Sequence, residues 1–422
     1  MLKQLILENW KSFRYAELLI DPLTVLIGTN ASGKSNVVEA LEFLQRIVRG
    51  ENIEAALSGD KTFPSIRGGV EWAALKPETQ FTLKALVQGE DDQTDYSYVI
   101  KIQTQPRVKV LEEYIERQGL NKNSVSNDLT IYTVRNFHFP SISGLKEVSH
   151  SVDFNEIIQF KKYLEKGKNI LIKDEDWLKN IEDEYFPLKN KIKNFVLSTL
   201  ESILILNPIP STMRDYSPLS DSLESNASNI AGVLAALPDE QKAEIEAIIS
   251  TYIKDLPEGD IQRIWAEKVG RFGTDAMLYC EEQWKPGHIT EIDARSMSDG
   301  TLRFLAILTA LLTRPEGSQL VIEEIDNGLH PSRAQLLVRM LREIGAKRKI
   351  DILITTHNPA LLDAFGPEIV PFVVVAHRDS ETGESQLTVV EDIDNFPKLF
   401  ASASLGKLTT TGAIERSLSR NE

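Results

Sequence analysis

Residues 28–35, GTNASGKS, constrain the fold of this chain more than any other stretch. They match G-x-x-x-x-G-K-[ST], a pattern that works only between a buried strand and a helix. Both flanks meet that requirement. Ahead of the loop, Thr24, Val25, Leu26 and Ile27 form a short β-type run. Behind it, Val37, Leu41, Leu44 and Ile47 recur at helical spacing. The glycines let the backbone curl so that N–H groups point inward, at a helix N-terminus whose dipole also favours anions. The loop therefore reads as a cradle for phosphate oxygens, built from Gly28, Asn30, Ala31, Ser32, Gly33, Lys34, Ser35 and Asn36. In such a cradle Lys34 reaches the β- and γ-phosphates of a nucleotide, and Ser35 ligates Mg²⁺.

A strand-loop-helix of this kind belongs to a parallel sheet, and the end of the chain supplies candidates for the rest. After residue 290 the pattern predicts a helix over 299–313, a buried strand over 319–325, a helix over 331–345, and strands over 350–356 and 370–377. Strands separated by helical runs of this length imply crossover connections and an α/β class. The segments KQLILEN, YAELLI, FTLKALV, YSYVIKIQ and VLEEYIER predict a β-rich layer within the first 120 residues. From about 150 to 270 the spacing is mainly helical, in FNEIIQFKKYLEKG, LKNKIKNFVLSTLESILI and EQKAEIEAIISTYIKDL. The expected division is 1–120 and 285–422 as two halves of one α/β domain, with 121–284 a mainly helical insertion.

A phosphate cradle needs a carboxylate for the metal and a group to orient water. LVIEEIDNGLHP offers Glu323 at the carboxyl end of a buried strand, where ligands bind in open α/β sheets. Glu323 is expected to hold Mg²⁺, directly or through water. Glu324, expected on the other face of the strand end, would polarise the attacking water. ILITTHNP ends a second strand on Thr355, Thr356 and His357, placing the histidine to sense a γ-phosphate. Finally, ARSMSDGTLRFL puts Ser298, Asp299, Gly300 and Thr301 ahead of an apolar helix, a second anion site. The chain's own phosphates belong to the first loop, so this second site is expected to face a phosphate held by another copy.

The order of these motifs resembles the ABC-type ATPase heads of the SMC, RecF and OLD-like superfamily. The likeness is strongest to stand-alone prokaryotic members often labelled AAA family ATPases (AAA15/AAA21-like), which lack a TOPRIM domain. LENWKSF, residues 7–13, is similar to the strand-turn that opens those heads, and the resemblance covers roughly 1–120 and 285–380. It implies a P-loop NTPase fold: an ABC-type head with a β-rich subdomain and a helical insertion. It also implies roles. Ser298, Asp299, Gly300 and Thr301 take the place of the signature acting in trans. Glu323 is the Walker B metal residue, and Glu324 the catalytic base. Asp326, Asn327 and Gly328 begin a D-loop that runs to His330, and His357 is the switch histidine. Lys34, Glu324 and His357 carry catalysis. The Walker B strand ends in Glu where Asp is usual, and the signature lacks the transporter-type second glycine and glutamine. SIRGG, Ser65 to Gly69, is the candidate for the Q-loop.

The implied cofactors are ATP and Mg²⁺. The implied function is a nucleotide-driven dimerisation switch, working in phage defence or DNA repair with a separately encoded effector, a nuclease or a toxin. A homodimer or higher homo-oligomer would form through the nucleotide, and direct contact with DNA is left open. The alternative is an ATP-dependent assembly scaffold with little turnover that holds or inhibits such a partner.

Other classes fit less well. A net charge of −15 over 422 residues argues against a surface that tracks nucleic acid throughout. Residues 141–200 hold ten lysines and ten acidic residues, so KNKIKNF reads as a solvated helix face. No apolar run approaches the roughly 20 residues that span a bilayer. MLKQLILENW is too short and polar for a signal peptide, and the expected location is cytoplasmic. Cys280 is the only cysteine, which excludes an intramolecular disulfide and suits a small buried hydrophobe. The signature form and the insertion disfavour a transporter engine. Asp392 and Asp394 superficially fit TOPRIM chemistry but lack an upstream acidic partner, and read as a polar strand end. His138, His150, His288 and His377 carry no partner motif.

Overall fold

The computed structural model describes residues 1–61, 63–90, 94–119, 130–133 and 186–418. The helix expected over 154–167, with His138 and His150, lies outside the described residues. The chain forms two compact units, Met1–Leu19 with Glu39–Ser202, and Ile20–Val38 with Ile203–Glu422.

The chain opens on strands β1 (Leu2–Trp10), β2 (Phe13–Leu19) and β3 (Leu23–Ile27), then helices α1 (Lys34–Val48) and α2 (Ile53–Ser58). In the first unit, β1 and β2 make a tight hairpin closing at Trp10 opposite Phe13, with Lys11 in the left-handed region at φ 52. Strands β4 (Gln80–Gln88), β5 (Thr94–Gln103), β6 (Lys109–Gly119) and β7 (Thr130–Thr133) complete an antiparallel sheet ordered β2-β1-β4-β5-β6-β7. Its core is aromatic. Trp10 meets Phe81 at 4.8 Å between ring centroids, and Phe43 of α1 meets Phe81 at 5.7 Å, both edge-on. Such pairs add to the burial free energy of the rings themselves. Helix α3 (Phe186–Glu201) sets Phe195 against Tyr96.

Lys11 of the LENWKSF turn is spoken for. It is ion-paired with buried Glu39, and its Nζ also donates to Arg67 O at 2.8 Å. Burial lowers the Lys11 pKa and Glu39 opposes that shift. Arg67 Nε donates to the same Glu39 at 2.6 Å, so SIRGG is a turn tied to α1, with Gly68 and Gly69 at positive φ.

In the second unit come β8 (Leu204–Leu206), β9 (Ser217–Pro218), α4 (Ile230–Ala236), α5 (Asp239–Lys254), β10 (Ile261–Val269), β11 (Asp275–Lys285) and β12 (His288–Asp293). They are followed by α6 (Asp299–Thr313), β13 (Gln319–Ile322), α7 (Ala334–Arg348), β14 (Asp351–Thr355), α8 (Pro359–Phe365), β15 (Val373–Arg378) and β16 (Ser385–Val389). Short helices α9 (Phe396–Ser402), α10 (Leu405–Thr410) and α11 (Ala413–Leu418) end the described chain. The main sheet is ordered β16-β15-β3-β14-β13-β8. All its pairings are parallel except that of β16 with β15. The N-terminal strand β3 thus sits between two strands from the far end of the chain. Every residue of β13 and β14 is buried, as expected of a parallel sheet covered on both faces.

The stretch 121–284, expected to be mainly helical, also holds β8, β9, β10 and most of β11. The β10–β11 hairpin turns through Gly270 and Gly273 at positive φ, and its register aligns Ile264 with Cys280 and Ala266 with Leu278. The burial of Ile264, Trp265 and Ala266 in succession departs from strict alternation, which hides the strand from period counting. Helix α6 is buried almost all round, with Leu302 and every residue from Phe304 to Leu312 in the interior.

Candidate functional site

Because β15, β3, β14, β13 and β8 run parallel, their carboxyl ends share one edge, and the loops that leave it converge. The loop after β3 is GTNASGKS. Gly28 and Gly33 have φ of 142° and 119° and Ala31 a φ of 63°. A Cβ at Gly28 would stand 2.2 Å from Ala376 O, so a glycine is needed for the loop to pass β15. Ser32 N donates to Thr29 O at 3.3 Å and Val37 N to Gly33 O at 3.2 Å, closing the loop into α1. From β15, Arg378 Nε donates to Ala31 O at 3.1 Å.

Lys34 Nζ donates to Gly28 O at 2.7 Å and Thr29 O at 2.9 Å, within its own loop. Burial lowers the Lys34 pKa, while Glu324 and then Glu323 push it back up. Both carboxylates therefore lie within electrostatic reach of the lysine. The loop leads into the first turn of α1, which holds Ser35 and Asn36. Ser32 Oγ is buried with no hydrogen-bond partner among the described residues. A phosphate group fits such a cradle: it would accept from Ser32 and lie at the positive end of the α1 dipole. Mg²⁺ fits as well. The Ser35 hydroxyl and Glu323 carboxylate are hard oxygen donors, and a magnesium ion that shares phosphates needs few protein ligands. No group of three His, Cys, Asp or Glu poised for a metal occurs among the described residues.

Glu323 and Glu324 do not continue β13, as the expected strand over 319–325 required. They fall in a turn beyond Ile322, and Glu324 adopts φ 47. Thr355, at the end of β14, explains the break. Its Oγ1 accepts from Glu324 N at 2.8 Å and its backbone O from Ile325 N at 3.1 Å, so the chain is pulled across instead of running on. Thr356 Oγ1 donates to Asp326 Oδ1 at 2.5 Å. Asn327 N and Leu329 N close the turn on Glu324 O and Asp326 O. His357 follows, exposed at the end of β14. The turn over 324–329 and the histidine segment are thus fastened together by the two threonines.

The Ser298–Thr301 stretch forms a second cluster. Ser298 is the N-cap of α6: its Oγ accepts from Thr301 N at 3.1 Å and lies 2.8 Å from Thr301 Oγ1. Arg214, in the loop after β8, donates to Met297 O at 2.7 Å and to Asp299 Oδ1 at 2.8 Å. Gly300 packs on the turn after β13, where an added Cβ would stand 3.0 Å from Gly328 O. Arg333, just past that turn, pairs with Glu258. Sequence reasoning missed Arg214, Arg333 and Arg378, because each meets its partner through the fold and not through a local pattern.

Cys280 is buried, and burial pushes its thiol up to about 12. Asp392 lies in a single helical turn after β16 and is exposed, as is Asp394. Among the described residues no helix is long and apolar enough to cross a membrane.

Residues 23–363 match the AAA_21 family, described as "AAA domain, putative AbiEii toxin, Type IV TA system". The DNA replication and repair protein RecF of Rickettsia canadensis (strain McKiel) is 27% identical over 219 residues, 47% of this chain and 54% of that protein. RecF of Rickettsia massiliae (strain Mtu5) gives the same identity and coverage. The chain spans about half the length of the curated relatives it matches. Among solved structures, the SMC head domain from Thermotoga maritima is similar at 14% identity and a TM-score of 0.44, covering 92% of this chain and 98% of that one. The SmcHead bound to the C-winged helix domain of ScpA is similar at 13% identity and a TM-score of 0.46, covering 92% and 96%. The family match takes in the cradle, the acidic turn and the histidine segment alike, and the chain belongs to the AAA_21 family.

Proposed function

We propose that this protein binds and hydrolyses ATP at the carboxyl edge of its parallel sheet, and that two copies close on the nucleotide. The observation that carries the proposal is the placement of the GTNASGKS loop, after β3, on the same carboxyl edge of the parallel sheet as the acidic turn after β13. Lys34 would leave the Gly28 and Thr29 carbonyls to take up β- and γ-phosphate oxygens. Ser35 and Glu323 would hold Mg²⁺, which supplies charge neutralisation on the phosphates when bound. Glu324, exposed at the edge and fixed through its backbone by Thr355, would orient the attacking water and accept its proton. His357 would donate to the γ-phosphate. Phosphoryl transfer to water asks mainly for positioning and charge stabilisation, which this set supplies.

The Ser298–Thr301 stretch of one copy would meet the phosphate held by the other. Its capping geometry and exposed Ser298 and Asp299 support that reading. The role of the RecF relatives in DNA replication and repair supports a DNA-linked setting, and a defence setting with a separate nuclease or toxin partner extends the same reading. The net charge of −15 would confine any contact with DNA to a local surface.

The test is solution mass by light scattering on the Glu324→Gln protein, with and without ATP·Mg²⁺. Growth in mass with nucleotide is the expected result, and a monomer under both conditions refutes the bridged pair. In an ATPase assay, Lys34→Ala and Ser298→Arg should each be inactive alone, and a mixture should recover activity from one composite site. A mixture as inactive as its components would remove the trans role of Ser298.

A further inference from the structure

Beneath the start of α6 lies a guanidinium only partly accounted for. Arg333 ends the helical turn that follows the D-loop and is 6% exposed. Its Nε and Nη2 both approach Glu258 Oε1, at 3.2 Å and 3.0 Å. Its Nη1 is buried and has no hydrogen-bond partner among the described residues. An ideal Cβ on Gly300 would stand 2.8 Å from that Nη1, which therefore sits directly under the second residue of the helix.

A cation in this place needs an explanation. α6 is 15 residues long, and its N-terminus already presents unpaired N–H groups and the positive end of the helix dipole. Burying a guanidinium against that end is unfavourable unless negative charge compensates it. Asp299 is occupied by Arg214 and lies largely in solvent, with 70% of its side chain exposed. Glu258 compensates in part, from a side chain that is 41% exposed and so screened by water. Burial would raise the Glu258 carboxyl, but its own backbone N–H, Arg333 and His330 hold it below the usual carboxylate range, so the pair stays charged at neutral pH. An anion docked on the first turn of α6 would complete the balance.

We infer that Arg333 is a positioning residue that charges this anion site from below. Poised by Glu258, its guanidinium strengthens the hold of Gly300 and the first turn of α6 on the terminal phosphate of a nucleotide carried by a second copy. The inference rests on the bridged pair proposed above. It differs from a plain structural brace, in which the Arg333–Glu258 pair only fastens the D-loop turn to the 255–260 loop. In a brace, losing either partner weakens assembly. In a charging device the two losses have opposite signs, because removing Glu258 leaves the guanidinium freer to act on the phosphate.

The experiment measures, in the Glu324→Gln protein at saturating ATP·Mg²⁺, the protein concentration at which half the chains are assembled. Glu324→Gln alone must gain mass with nucleotide; if it does not, the bridged pair falls and this inference with it. Given assembly, Arg333→Met should raise the half-assembly concentration roughly tenfold, a plausible size for one partly buried charge acting across an interface. Arg333→Lys should recover part of that loss, and Glu258→Gln should lower the concentration roughly threefold, with the gain shrinking as salt is added. Binding of a fluorescent ATP analogue, at protein concentrations below assembly, checks that each variant is folded. If Arg333→Met fails that check, Glu258→Gln decides alone. A shift of Glu258→Gln to lower concentration supports the inference, and no shift or a shift upward overturns it. An Arg333→Met protein that folds and assembles like its parent overturns it as well.

Discussion

Replacing Glu324 by glycine should leave the protein more stable than replacing it by alanine. Glu324 holds φ 47 in the turn beyond β13, a region where a Cβ crowds the following carbonyl. For a non-glycine residue that conformation is unfavourable by about 1–2 kcal/mol. The side chain is exposed, so truncation removes little packing. The backbone bond from Glu324 N to Thr355 Oγ1 survives in every variant. Against the relief stands the larger unfolded-state entropy of glycine, roughly 0.5–1 kcal/mol. The balance favours Glu324→Gly over Glu324→Ala by about 0.5–1 kcal/mol. Urea unfolding followed by tryptophan fluorescence reads this as a higher midpoint at unchanged slope. ATPase assays on both should show turnover reduced by about a hundredfold or more, the usual worth of a positioned base. An alanine variant as stable as the glycine variant would show that the turn holds no strain and that Thr355 merely follows the chain. Equal activity in all three proteins would remove Glu324 from the chemistry.

Asp351 and Cys280 give two further tests. Burial raises the Asp351 carboxyl to about 6, above its unfolded value, so the folded state prefers it protonated and its ionisation opposes folding. The penalty is absent below about pH 4, grows as pH rises to about 6 and is constant above. Asp351→Asn should therefore match the parent at pH 4 and exceed it at pH 8 by up to about 2 kcal/mol, measured by unfolding at both pH values; a gain confined to low pH would reverse the assignment. Cys280, buried with its thiol pushed up to about 12, should react with a thiol reagent at pH 8 only as fast as the protein opens, so rapid labelling of the folded protein would contradict its burial.

Much of this architecture is legible in the residues themselves. GTNASGKS with its flanks gives β3, the loop and α1, and the apolar spacing after Ser298 gives α6 at the residues where it is found. Both signals are local, because a loop of fixed spacing and a capped helix carry their instructions within a few residues. The acidic turn was less accessible. QLVIEEI continues apolar and β-compatible through Ile325, and only the hydroxyl and carbonyl of Thr355, thirty residues on, stop the strand at Ile322. Tertiary contact there overrides local propensity. Strand β10 was hidden by the run of Ile264, Trp265 and Ala266, all buried, amid charged residues that suit a helix face. Arg214 meets Met297 and Asp299 across more than eighty residues, and Arg333 meets Glu258 across 75, so no window of sequence announces either.

The burial of the middle of α6 has a consequence for how damage elsewhere would register. With Leu302 and every residue from Phe304 to Leu312 in the interior, that stretch has no route to fray alone, so its central amides should exchange with deuterium only when the surrounding core opens. The first turn of α6 is then seated on that interior and dependent on it. A cavity made in a neighbouring helix, by Ile249→Ala in α5 or Leu337→Ala in α7, would loosen the same cooperative block. Faster deuterium exchange at the central amides of α6 would report it.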